Sequence, residues 1–330
     1  MGVAVLGGAT VCVLFSPRAA RAQAAPSAGF PSKMLRIIVP FTPGGANDVV
    51  AREIAAGLQA SLKETVVVEN KPGGGTIAYA YVAKLPGDAH VMLIAPASFT
   101  MGPHLSRDPV YDPVSEFAPI NLVADVPFVM VVPANLSREG LPVRTVKELV
   151  ALARTAPGNL SFGSVGVGTP QHLGGELFKL TAGVELIHVP FRGAGAVLPD
   201  LVAGRIDMFI GAVNSLLPLI HDGSLRALAI AGARRIAALP DVSTLAEAGF
   251  PGCEVGSAIG LVAPAATPPE IVATLNREIA AIIATPGFRQ RMAAIGVDVV
   301  GSTPAAYAKF ISDDFAKWGK VVAAAGIKPE

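Results

Sequence analysis

Apolar positions along this chain follow two alternating rhythms: short β-branched runs, and longer stretches with the spacing of a helix buried on one face. Runs at 35–40, 65–69 and 91–95 predict strands, with helices between them at 46–62 and 76–84. A second series opens with a helix at 145–156, announced by Thr145 and, three residues on, Glu148, the capping-box pairing. It continues with a strand at 160–163, a helix at 170–181, a strand at 186–189, a helix at 195–203 and strands at 206–210 and 225–230. The tail is helical at 268–284, 287–295 and 304–324.

Such alternation predicts an α/β protein built from mostly parallel sheets flanked by helices. Roughly 300 residues exceed what one core usually accommodates, so two lobes are expected. Val-rich passages at 120–133 and 255–264 separate the series and read as crossovers. The first lobe is then discontinuous, 33–128 plus 253–330, around a second lobe at 129–252.

Residues 3–15 are apolar apart from Gly, Thr10 and Cys12, too short a stretch to span a bilayer as a mature helix. Small-x-small triplets follow at Ala20-Arg21-Ala22 and Ala22-Gln23-Ala24, so 1–24 reads as a cleaved export signal and the mature protein as periplasmic. No Lys or Arg precedes the apolar run, which leaves a start upstream of Met1 open. Losing Arg18 and Arg21 turns 26 basic against 25 acidic residues into 24 against 25, and no basic tract suggests a nucleic-acid partner. Cys12 leaves with the signal, so Cys253 remains alone, without an intramolecular disulfide or a metal or redox motif. There is no GxSxG and no HExxH, and the five histidines lack metal or triad spacing. No catalytic residue, cofactor or metal is expected.

The candidate chemistry sits in glycine-rich loops at strand ends. Pro40-Phe41-Thr42-Pro43-Gly44-Gly45-Ala46-Asn47-Asp48 runs from strand into helix, an anion seat without a cation. A plain turn with Asn47 or Asp48 as a cap fits the same residues. Gly163-Ser164-Val165-Gly166-Val167-Gly168-Thr169-Pro170 offers a second seat, with Pro170 at the first helical position. His172 on its own reads as a polar contact at that helix start. The loop at 70–78 satisfies GxGxxA, but Pro72 breaks the geometry and no acid closes a second strand about 20 residues on, which argues against a dinucleotide enzyme. Arg192 suits either a carboxylate clamp or a surface position.

These loops resemble those of the substrate-binding receptors of tripartite tricarboxylate transporters, the Bug-type receptors. The marks are Ile38 to Gly45 with Asp48 and Arg52, Val68 to Gly73, Gly163 to Leu173 with Gly175 to Phe178, His188 to Gly193, Gly260 to Pro264, and Lys317-Trp318. The resemblance implies a type II-like periplasmic binding protein, a monomer whose two lobes close on a small carboxylate, usually a di- or tricarboxylate or a related organic acid, for delivery to a membrane permease. A sensor that hands its state to a signalling partner would share these features. It points to Phe41, Thr42, Gly44, Ala46, Ser98, Ser164, Gly168, Thr169, His172 and Asp200 as ligand-binding, with Asp200 as a buried acid facing a bridging water. It also marks departures: Thr76-Ile77-Ala78-Tyr79 stands where relatives commonly carry Asn-Ile-Gly-Ala, and an aromatic is commonly found near Ser257.

Overall fold

The computed structural model describes residues 1–2, 29–72, 75–138 and 141–329. The export segment expected over 1–24 lies outside these residues save its first two, as do Gly73 and Gly74 of the third loop.

The first lobe opens with β1 (Leu35–Val39), α1 (Ala46–Leu62), β2 (Val66–Asn70), α2 (Thr76–Ala83), β3 (Val91–Pro96) and the short α3 (Ser98–Met101). The long β4 (Phe117–Pro133) leads to a small hairpin, β5 (Ser137–Arg138) and β6 (Leu141–Pro142). The second lobe continues with α4 (Val146–Thr155), β7 (Ser161–Ser164), α5 (Pro170–Ala182), β8 (Ile187–Pro190), α6 (Ala194–Val202), β9 (Met208–Ala212), α7 (Val213–His221) and β10 (Leu225–Ile230). The chain returns through β11 (Gly256–Pro264), α8 (Pro269–Ala284), α9 (Pro286–Ala294), β12 (Asp298–Val299) and α10 (Pro304–Ala324).

The two lobes repeat one topology. β1 pairs in parallel with β2 and β3, and β7 pairs in parallel with β8 and β9. Each parallel trio is then closed by an antiparallel neighbour, β11 on β3 and β4 on β9. β4 serves both sheets: 117–127 pair with β11, and 128–133 pair with β9 and β10. The passages expected as crossovers are therefore strands, and the chain changes lobe inside β4 without leaving the sheet. Their near-continuous apolar character follows, since both faces of these strands are covered.

Each sheet has a buried cluster on either face. In the first lobe, Ile37, Val50, Ile54 and Leu275 lie on one side, and Ile38, Tyr79, Phe99 and Tyr111 on the other. In the second, Phe128, Leu149, Phe162 and Phe178 oppose Val131, Val197 and Phe209. α10 joins the lobes: Tyr307 and Ile311 enter the first lobe's aromatic cluster, while Trp318, Val321 and Val322 enter the second lobe's core. The capping box is formed as the sequence implies, with Glu148 N donating to Thr145 Oγ1 at 3.2 Å and Thr145 N donating to Glu148 Oε2 at 2.9 Å.

Candidate ligand cleft

Both glycine-rich loops run from the C-terminal end of a parallel strand into a helix, which is where open α/β sheets place their ligands. In the first, Gly44 has φ +93°, a conformation in which a side chain is strained. The loop is held from behind by Asp48, buried at 3% exposure. Asp48 Oδ2 accepts from Gly44 N and from Arg52 Nε, each at 2.9 Å, and Oδ1 accepts from Asn70 Nδ2 at 2.9 Å. Asn70 Nδ2 also donates to the Phe41 carbonyl at 3.0 Å, so one acid and one amide fix both ends of the loop. The Arg52 guanidinium, together with the Gly44 and Asn70 donors, holds the Asp48 carboxyl down at about 2 despite its burial. In the first turn of α1, Asp48 N bonds back to Gly45 O at 3.0 Å, while Ala46 N and Asn47 N have no backbone partner among the described residues and carry the positive end of the helix.

The second loop is shaped by a histidine pair. Ser164, fully buried, lies 2.7 Å from His188 Nε2 and receives Gly166 N at 3.2 Å. Gly168 N donates to His172 Nδ1 at 3.1 Å, and the His172 ring stacks on His188 with centroids 3.9 Å apart. Thr169 caps α5, accepting from His172 N at 3.4 Å and donating to Gly166 O at 2.7 Å.

Burial pushes both imidazoles down to about 4, with Lys179 adding to the effect on His172 and the His172 ring and Lys179 adding to that on His188. The folded state therefore favours neutral rings, and the stability they contribute is present above pH ~6.5 and lost as pH falls through about 4. An NMR titration of the imidazole C–H resonances is expected to give midpoints near 4; midpoints near the free value of about 6.5 would contradict the buried, neutral pair.

The two loops face each other across a cavity of about 420 Å³. Of the residues the sequence pointed to, Phe41, Ser98, Gly168 and Thr169 line it. Thr42 and Gly44 are exposed on the first loop and Ala46 begins α1, all outside the lining. Ser164 and His172 lie behind the second loop and shape it. Asp200 is a correction: it is not buried but about a third exposed on α6, and it is engaged by Arg205 Nε at 2.9 Å. The acid expected to face a bridging water is thus spent on a surface ion pair, away from the cavity.

The lining also includes Leu105 and Tyr111, which sequence reasoning did not single out, and Thr76, Tyr79 and Ser257, which it marked only as departures from the family pattern. Asn47, weighed there only as a cap, lines it too, and its buried Oδ1 has no hydrogen-bond partner among the described residues. No side chain in this lining is charged. A second cavity of about 380 Å³ lies where β4 and β11 pass between the lobes. It carries Asp125, Asp298 and Asp314 against Arg234 and Lys317, and those cations already pair with Asp298 and Asp314. An anion is repelled there and attracted by the helix N-termini of the first cavity.

The profile of the tripartite tricarboxylate transporter family receptor matches residues 50–327. The chain belongs to this receptor family. It is 34% identical to BugT of Bordetella pertussis, over 91% of each chain. It is 39% identical to a UPF0065 protein from the tcbD-tcbE intergenic region of Pseudomonas sp., over 89% of this chain and 86% of that one. Among solved structures, a Rhodopseudomonas palustris protein with adipate shares 35% identity at TM-score 0.72, covering 91% of this receptor and 100% of that chain. R. palustris MatC with bound malate shares 29% at TM-score 0.69, covering 89% and 100%. The receptor fold, α/β and two-lobed, is that of periplasmic binding proteins such as BugD.

Proposed function

We propose that this receptor works in the periplasm as a monomer, capturing a small carboxylate between its lobes and presenting it to the membrane subunits of a tripartite transporter. The observation that carries this reading is the pair of strand-to-helix loops facing each other across a cavity of about 420 Å³, which is lined by uncharged side chains and flanked by the positive ends of α1 and α5. The adipate and malate held by the two R. palustris neighbours support it.

In this reading the ligand carboxylate sits between Phe41 and Asn47 on one side and Gly168 and Thr169 on the other, with Ser98 beside it. Thr42, Gly44, Ala46, Ser164 and His172 give the loops their shape. The lobes comprise 33–128 with 253–330, and 129–252, with α10 straddling both. They close by bending β4 and β11, and the ligand favours the closed state.

A thermal-shift screen with carboxylates, amino acids and nucleotides tests this reading. A ligand at about 100 times its dissociation constant adds roughly 2.7 kcal/mol, a visible rise in melting temperature. A carboxylate that raises it is the expected result; a shift with nucleotides alone would overturn the reading.

A further inference from the structure

Resting on the receptor reading above, we infer that the ligand is a monocarboxylate with an uncharged, planar apolar body, an acid of the benzoate or phenylacetate type, and not a di- or tricarboxylate. The cleft has one end built for a negative charge, where the two loops meet. Its other end is built from carbon. Tyr79 and Tyr111 form the floor, but neither offers its hydroxyl: Tyr79 Oη lies 2.9 Å from Ser98 Oγ, and Tyr111 Oη donates to the Phe99 carbonyl at 2.9 Å. Both rings are almost wholly buried, Tyr79 at 1% and Tyr111 at 6% exposure, so the floor they back is apolar.

These rings are held firmly, Tyr79 against Tyr111 at 5.0 Å and Phe99 against Phe117 at 4.9 Å, both edge-on. Phe41 and Leu105 extend the apolar wall. Aromatic pairs favour offset-stacked or edge-to-face contact, so a flat aromatic body suits a lining that holds Phe41, Tyr79 and Tyr111 better than a flexible chain does.

The polar atoms remaining beyond the loops are the hydroxyls of Thr76 and Ser257, with Ser98 shared with Tyr79. Hydroxyls can meet a phenol or a carbonyl on the ligand, but they do not offset a second buried charge. The cations of β1, α1 and the end of β2 are committed elsewhere, Arg52 to Asp48, and Arg36 and Lys71 to Glu69, and the lining itself carries none. A second carboxylate at this end would lose its water and gain no counter-charge.

Isothermal titration of the purified receptor with 4-methylbenzoate, phenylacetate, adipate and citrate tests the inference. An aromatic monocarboxylate is expected to bind at least about tenfold more tightly than adipate or citrate, a difference of about 1.4 kcal/mol. Adipate or citrate binding as tightly or more tightly would overturn the ligand class while leaving the carboxylate receptor standing. Binding by none of the four would overturn the ligand class, and the receptor reading would then stand or fall on the wider carboxylate screen. A second variant places the missing cation at the distal end: Ser257→Lys is expected to shift the affinity ratio toward adipate by about tenfold. An unchanged ratio would show that the far end of the ligand does not approach Ser257, and would overturn the inference.

Discussion

Replacing Asp48 by Ala is expected to cost about 2–3 kcal/mol of stability at neutral pH and to weaken ligand binding by about tenfold or more. Asp48 is the one group that touches Gly44, Arg52 and Asn70 at once, and through Asn70 it fixes the Phe41 carbonyl as well. Without it, Gly44 N loses its acceptor, Asn70 Nδ2 keeps only the Phe41 carbonyl, and the loop loses the geometry that positions the α1 N-terminus at the cleft. The carboxyl titrates at about 2 in the fold, below its ordinary value of 3.8. A depressed pKa means that the stability is present above pH ~4 and lost as pH falls through about 2. Denaturant titrations at pH 7 and pH 2.5 separate the two proteins: their difference should shrink sharply at the lower pH. A gap that stays constant would mean that Asp48 acts by packing and not by charge.

The sequence showed the loops and not their mechanics. Gly44, Gly166 and Gly168 announce tight turns because only glycine enters a positive φ freely, and the turns are where they were expected, whereas Gly45 keeps an extended backbone at φ −78°. The capping box at Thr145 was legible for the same kind of reason, a local contact between residues three apart. His172 was not legible as a loop support, because its role depends on His188, which comes from a neighbouring strand. Tyr79 carries no periodic signal that separates a cavity floor from a core, and its partners Ser98 and Tyr111 meet it only after three strands have assembled. α7 went unseen because Pro218 lies inside it, yet a proline there removes one backbone bond at a helix of nine residues and the helix survives. β4 was read as a connection because buried strands look the same whether they end a lobe or cross between two. Asp200 was assigned to the cleft from its motif alone, whereas the nearby Arg205 turns it to the surface.

Replacing Gly168 by Val is expected to weaken ligand binding by about 100-fold or more while leaving the fold intact. Gly168 combines two constraints that Gly44 and Gly166, the other positive-φ glycines of the two cleft loops, do not combine. Its φ is +76°, and a Cβ built on it falls 2.6 Å from Leu105 Cδ1, on the opposite wall of the cleft. Gly44 shares the positive φ but has open space around it, so a side chain there is strained without touching the other lobe. A valine at 168, β-branched and already strained at this φ, presses as a wedge on the end of the Leu105 side chain, which must turn away or hold the lobes apart at the point where the ligand is enclosed. A state that cannot close binds in proportion to the small fraction that still does. Small-angle scattering should then show a radius of gyration that ligand no longer reduces. The strain and the wedge are separable, because Leu105→Ala removes the obstacle and not the backbone conformation. If Gly168→Ala with Leu105→Ala recovers most of the affinity lost by Gly168→Ala alone, the wedge dominates; if it recovers none, the loss comes from the displaced Gly168 N–H and its bond to His172.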